Sequence, residues 1–274
     1  MATHKKSMTA AESNGTAKLN DPALASLVQV IDASTQRLAD QIEQLTPEQV
    51  RQQAYPTEWT VADVLSHLGS GATIMRLRLD GEVVDMQAIW DEWNAKDPDA
   101  QAADSLVADE ALQYRLYALT AEDEDHMRFA MGPAELDLRT FLALRLNEHS
   151  LHTWDVAVTF DATATLPEDE AALVVDTLPM IARWAGKPTG VDRDISIRTL
   201  APVRAFALAL RPDGVTLSPS DPVDPADPAD EPDLVLPAET LIRLVYGRLD
   251  PDHTPRGIVG VGHLDELRRA FPGF

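Results

Sequence analysis

From Asp21 to about Trp184 apolar residues recur at a helical period, and after Gly186 the pattern turns to strand-like alternation. That switch constrains the fold of this 274-residue chain more than any other feature. Leu24, Leu27, Val28, Ile31, Leu38, Ile42 and Leu45 mark a first helix, opened by Asp21-Pro22 and running to about Leu45. Thr46-Pro47-Glu48 restarts a short turn, with Thr46 as N-cap and Pro47 at the first helical position. Thr60 and Asp63 form a capping-box variant that opens a helix through about Leu79, with Gly81 as its C-cap. Further helices are expected over Val83 to Asn94, from a Ser105 cap to about Leu119, over Leu138 to Phe160 and over Asp169 to Trp184. Four main helices with accessories point to a bundle over residues 21–186.

Residues 187–274 read as a small α+β domain. Asp194 to Leu200 alternates, and Ala205 to Leu210 and Val215 to Leu217 flank a Pro-Asp-Gly turn. Leu234 to Leu236 is a further strand, Pro237 to Tyr246 an amphipathic helix stopped by Gly247, Gly257 to Val261 a last strand and Leu264 to Phe271 a closing helix. Residues 221–233 repeat Asp-Pro and read as a solvated acidic loop, since they have little to bury. Residues 1–20 lack the apolar run of a signal peptide and read as a disordered tail.

The formal net charge of -22 disfavours nucleic acid and anionic membrane surfaces as partners. The 45% hydrophobic content suffices for a sizeable core, and no stretch has the length of an apolar membrane span. A cytoplasmic protein is the expectation. There is no cysteine, which excludes disulfides and thiolate metal sites.

Three residues are candidate metal ligands: His67 in the helix after Thr60, and Glu148 with His152 in the helix from Leu138. The spacing of four puts Glu148 and His152 on one helix face. Two histidines and a carboxylate hold a divalent metal and leave a position open. Taken singly, His67 fits a core role, and a Glu/His pair at this spacing is common on surface helices. Glu148 sits between Leu146 and Leu151, however, and a buried carboxylate needs a cation or strong donors. His149 points roughly 100° away around the helix and is the weaker candidate. Asp155, three residues past His152, either orients that histidine or is a solvated charge. Of the five tryptophans, Trp59, Trp90, Trp93, Trp154 and Trp184, most are expected in the core, with Asn94 a candidate polar group of a pocket.

Thr57-Glu-Trp-Thr-Val-Ala-Asp-Val-Leu-Ser-His67-Leu and Leu146-Asn-Glu148-His-Ser-Leu-His152-Thr-Trp-Asp155 resemble the two N-terminal signatures of the mycothiol-dependent maleylpyruvate isomerase family, within the DinB-like thiol-dependent metalloenzymes. Leu241 to Leu249 and Leu267 to Phe274 resemble the C-terminal domain of its actinobacterial members. The resemblance implies a DinB-like four-helix bundle in which His67, Glu148 and His152 hold a divalent metal, usually zinc. It also implies mycothiol as the thiol cofactor or co-substrate, a small-molecule electrophile as substrate, and Arg248 as the holder of a substrate carboxylate. The plain alternative for Arg248 is capping the helix that ends at Tyr246. The expected activity is isomerisation or thiol S-transfer; the alternatives are a non-catalytic metal-binding protein for ligand sensing or partner binding, and an inactive scaffold carrying a small apolar molecule.

Overall fold

The computed structural model describes residues 18–56, 58–132, 134–221 and 231–273. Most of the expected N-terminal tail and of the acidic Asp-Pro loop, together with Thr57, lies outside the described residues. Lys18 to Asn20, the end of that tail, is tied down: Lys18 N–H donates to the Leu119 carbonyl at 3.0 Å and Asn20 N–H to Glu124 at 2.9 Å.

The helical part comprises α1 (Pro22–Ile42), α2 (Pro47–Val50), α3 (Val61–Leu79), α4 (Met86–Asn94), α5 (Pro98–Tyr117), α6 (Ala121–His126), α7 (Leu138–Phe160), α8 (Glu168–Val174) and α9 (Leu178–Ala185). α3 packs along α5 and α1 along α7, and α7 also crosses α3. The start signals work as the sequence implies. Asp21 accepts from Ala23 N–H ahead of α1, and reciprocal capping boxes at Thr46/Gln49 and Thr60/Asp63 open α2 and α3. At the end of α3, Gly81 takes φ +77° and the backbone closes from Glu82 N–H to the Leu77 carbonyl, satisfying the last turn.

Several boundaries differ from the sequence reading. α1 ends at Ile42 rather than Leu45, and α4 begins at Met86 rather than Val83. Ser105 is not a cap: Asp97 caps α5 and Pro98 starts it, so Ser105 lies two turns inside, fully buried. Small size is what Ser105 contributes there, because Gly69 of α3 approaches so closely that an added Cβ would meet the Trp93 ring and the Ser105 backbone. The helix expected over Asp169 to Trp184 is two, α8 and α9, joined by a 3-10 turn at Val175–Thr177; Pro179 lacks the N–H that a continuous helix needs.

Two elements had no clear sequence signal. α6 is short, and the antiparallel hairpin β1 (Arg128–Met131) with β2 (Ala134–Asp137) has strands of four residues, in which the cross-strand pair Phe129 and Leu136 alone is buried. An alternation of that length is too short to read as a pattern.

The C-terminal part is a four-stranded sheet in the order β5-β4-β3-β6, made of β3 (Arg193–Leu200), β4 (Ala205–Arg211), β5 (Gly214–Pro219) and β6 (Leu234–Pro237). β3, β4 and β5 are antiparallel neighbours, and β6 joins β3 in parallel. Alternate residues Ile195, Ile197, Phe206, Leu208, Val215 and Leu217 turn inward, and α9 packs on β5. α10 (Ala238–Val245) and α11 (Leu264–Ala270) complete this part. The strand expected over Gly257 to Val261 does not form. Gly257 and Gly260 take φ of +85° and +79°, and contact is limited to a single bridge between Val259 and Val235. One buried apolar cluster runs from Leu24 through Trp154 and Ile195 to Phe271, so helices and sheet share a core. No helix among the described residues is long and apolar enough to cross a membrane.

Candidate metal centre

α3 and α7 bring His67, Glu148 and His152 together, with one ligand atom from each lying within 4.8 Å of the others. His67 Nε2 is 3.1 Å from Glu148 Oε2 and His152 Nε2 is 3.6 Å from the same oxygen. The two imidazoles meet edge to face with centroids 4.6 Å apart, and Trp59 covers both, at 5.2 Å from His67 and 5.7 Å from His152. Among the described residues this is the group of His, Asp and Glu side chains with spacing suited to a metal ion.

Glu148 differs from the sequence expectation in one respect. Its side chain is about half exposed, because Leu146 and Leu151 turn into the core while Glu148 opens on a cavity. Loss of solvent raises the pKa of this carboxyl, but the hydrogen bonds and charges of His152 and His67 outweigh that and hold it well below the usual range.

Asp155 is buried, so the solvated-charge alternative does not apply. It accepts from His152 Nδ1 at 2.8 Å, which orients the ring and, in the neutral histidine, turns the Nε2 lone pair toward the site. The same carboxylate is gripped by Arg248, Nε to Oδ1 at 2.8 Å and Nη2 to Oδ2 at 2.7 Å. Burial resists a charge on Asp155, yet Arg248 and His152 prevail and keep it ionised. His152 is likewise penalised by burial, and Asp155 with Glu148 overcomes this and raises its pKa.

Arg248 therefore stands on the cavity wall with one edge of its guanidinium committed to Asp155 and Nη1 donating to the Tyr246 carbonyl at 3.2 Å. Its place follows from the end of α10. Gly247 takes φ +71°, its N–H reaches the Leu244 carbonyl at 3.0 Å and Arg248 N–H reaches the Arg243 carbonyl at 2.6 Å, a Schellman closure. A Cβ on Gly247 would also strike the backbone of Pro272 and Gly273. Gly247→Ala is expected to cost at least about 1–2 kcal/mol from the left-handed backbone alone and to loosen Arg248, read as a lower thermal midpoint; an unchanged midpoint would contradict this placement.

The cavity above the three side chains measures about 620 Å³. Tyr55, Trp59, Leu151, Tyr246, Arg248 and Asp250 line it, so both halves of the chain contribute. Sequence reasoning missed Tyr55 and Asp250. Tyr55 donates to Asp250 at 2.9 Å and packs edge-on against Trp154 at 4.9 Å, while His253 Nδ1 reaches the same carboxylate at 2.8 Å. Asp250 and His253, three apart in Leu249-Asp-Pro-Asp-His253, gave a local turn signal, but nothing local connects them to Tyr55. Trp93 and Trp154 are core residues, Trp90 and Trp184 are partly exposed, and Asn94 accepts from Ser66 at 3.2 Å beside a smaller cavity.

His149, the weaker candidate, takes no part in the centre. It is fully buried on the far side of α7, between Ser34 at 2.8 Å and Asp109 at 3.3 Å, and Asp109 is itself paired with Arg145.

Fold and site together define a helix-bundle protein with two histidines and a carboxylate on facing helices, roofed by an α+β part. Residues 31–157 match the family model described as "Mycothiol maleylpyruvate isomerase N-terminal domain". Two solved structures are similar over most of both chains. The mycothiol-dependent maleylpyruvate isomerase has 15% identity and a TM-score of 0.57, covering 83% of this chain and 90% of its own. An alanine mutant of that isomerase has 14% identity and a TM-score of 0.58, covering 82% and 90%. These likenesses extend the shared fold into the C-terminal part. No curated protein matches the chain significantly.

Proposed function

We propose that this protein is a metal- and thiol-dependent enzyme of the maleylpyruvate isomerase type, with His67, Glu148 and His152 as metal ligands. The observation that carries this reading is the convergence of two imidazole Nε2 atoms on one carboxylate oxygen, on the floor of the 620 Å³ cavity. The donor set fits a divalent ion of the zinc type, with nickel, iron and manganese also suited, and leaves a coordination position free. When bound, metal and thiol together supply a thiolate at neutral pH that adds to an electrophilic double bond. The chain has no cysteine, so the sulfur comes from a separate small thiol, and mycothiol, named in the description of the matching family, is the candidate.

The chain's own residues supply the rest. Asp155 orients His152 so that the neutral ring presents Nε2 to the site. Glu148 offsets part of the positive charge that a divalent ion brings. Arg248, held by Asp155, keeps a fixed cation on the cavity wall toward an anionic group of thiol or substrate. Isomerisation and S-transfer draw on this same machinery and differ in whether the thiol departs from the product. A mycothiol-dependent reaction belongs in the cytoplasm, where such thiols are kept reduced.

The test is conversion of maleylpyruvate to its trans isomer by zinc-loaded protein, with and without mycothiol. Turnover only with the thiol is expected. No thiol-dependent turnover of maleylpyruvate, and no thiol conjugation to chlorodinitrobenzene, would overturn the reading and leave a non-catalytic metal-binding protein. Histidine ligates a metal only when neutral, and, burial notwithstanding, Asp155 and Glu148 raise the pKa of His152, so zinc uptake is expected to release protons and to strengthen as pH rises past that raised value. Calorimetry in two buffers of different ionisation heat measures this; identical heats in both would contradict it.

A further inference from the structure

A second cavity, of about 240 Å³, shares His67 and Glu148 with the first and leads away from it along the groove between α3 and α7. Its wall is apolar: Ile74 and Met75 of α3, Phe141 and Leu144 of α7, Trp90 of α4, and Met131 on the hairpin that the sequence pattern did not reveal. Met86, Trp90 and Met131 surround it as large apolar side chains 40%, 38% and 37% exposed. Two cations stand on its edge, of which Arg145 is buried and ion-paired with Asp109, and Arg78 is held by the Ala130 carbonyl, to which it donates at 3.0 Å, and by the Phe141 ring that it lies over.

These features select an occupant. A carboxylate entering this groove would lose its water against an apolar wall and approach the negative Glu148, a costly transfer. A hydrocarbon group would displace water from that wall with nothing polar left unpaired. The volume lies below the roughly 300–1,000 Å³ of pockets for drug-sized ligands, so the group is small. The unbranched methionines suit an irregular apolar shape better than one fixed contour.

We propose that this cavity receives the apolar part of a small electrophile, an alkyl chain or a single aryl ring, and holds its reactive carbon beside His67 and Glu148. The larger, more polar cavity is left to the thiol. The inference rests on the thiol-dependent reading of the centre and adds to its substrate class hydrocarbon-bearing α,β-unsaturated carbonyl compounds.

The experiment is calorimetric titration of the zinc-loaded full-length chain with benzylideneacetone and, separately, with maleate. Leu144→Trp fills the cavity, and Met86→Lys, at an exposed position, places a charge at its mouth without touching the core. Saturable binding of benzylideneacetone is expected, weakened by at least about tenfold, or roughly 1.4 kcal/mol, in both variants and not competed by maleate. Equal binding by wild type and Met86→Lys, no saturable binding, or displacement of benzylideneacetone by maleate would overturn the proposal. Zinc content measured on the same samples keeps the two readings apart. Enone binding by a chain that takes up no zinc would uphold the cavity while removing the thiol-dependent centre.

Discussion

Asp155→Ala is expected to weaken zinc binding by about 10–100-fold, the usual loss when a histidine ligand is deprived of its outer hydrogen-bond partner. The change removes the acceptor at 2.8 Å from His152 Nδ1, so the ring loses both its orientation and its preference for presenting Nε2. It also leaves the mostly buried Arg248 guanidinium without its counter-ion, at a stability cost of about 3–5 kcal/mol. Asp155→Asn separates the two effects. The amide oxygen still accepts from His152, so metal affinity recovers toward wild type while the loss of the ion pair persists in the melting curve. Equal metal affinity in wild type and Asp155→Ala would show that Asp155 serves Arg248 alone.

The other large effect lies in the buried core behind the metal centre. Asp109→Ala is expected to cost about 3–5 kcal/mol, since it leaves Arg145 charged and unpaired in the core. Asp109, Arg145 and His149 are each at most 4% exposed, and Arg145 Nη1 also donates to the Leu68 carbonyl at 3.2 Å, joining α3, α5 and α7. Against a typical stability of about 5–15 kcal/mol, that loss is a large share. Replacing both partners together, as Asp109→Leu with Arg145→Met, is expected to restore most of it, because the cost arises from the orphaned charge. Burial opposes ionisation of Asp109, yet Arg145 and His149 hold its pKa below the ordinary value. A lowered carboxylate pKa stabilises the fold above the unfolded value of about 3.9; that stability is lost as pH falls toward the folded value. Urea unfolding at neutral pH and near pH 3 reads both. A loss below about 1 kcal/mol would contradict the buried-pair account.

Much of this architecture was legible because its signals are local. Thr60 and Asp63 cap α3, Gly247 ends α10 and the inward alternation of β3 and β4 marks the sheet, each within a few residues. The spacing of Glu148 and His152 placed two candidate ligands on one face, and motif resemblance supplied His67 from another helix. What stayed hidden depends on tertiary pairing. Arg248 and Asp155 lie 93 positions apart and Tyr55 and Asp250 lie 195 apart, and no periodicity couples such positions. His149 read as the lesser neighbour of Glu148, whereas its ring faces a polar core pocket built from Ser34 and Asp109 on other helices. The apolar cavity was hidden for the same reason, since one wall belongs to a hairpin with four-residue strands.

The central claim is that His67, Glu148 and His152 hold one metal ion. It is tested most directly by elemental mass spectrometry of the purified chain after zinc loading and desalting, beside His67→Ala and Glu148→Ala. The account predicts stoichiometric zinc in the wild type and its loss from both variants, with both still folded by circular dichroism. A zinc-loaded wild type that retains no metal, or variants that retain as much as wild type, would contradict it.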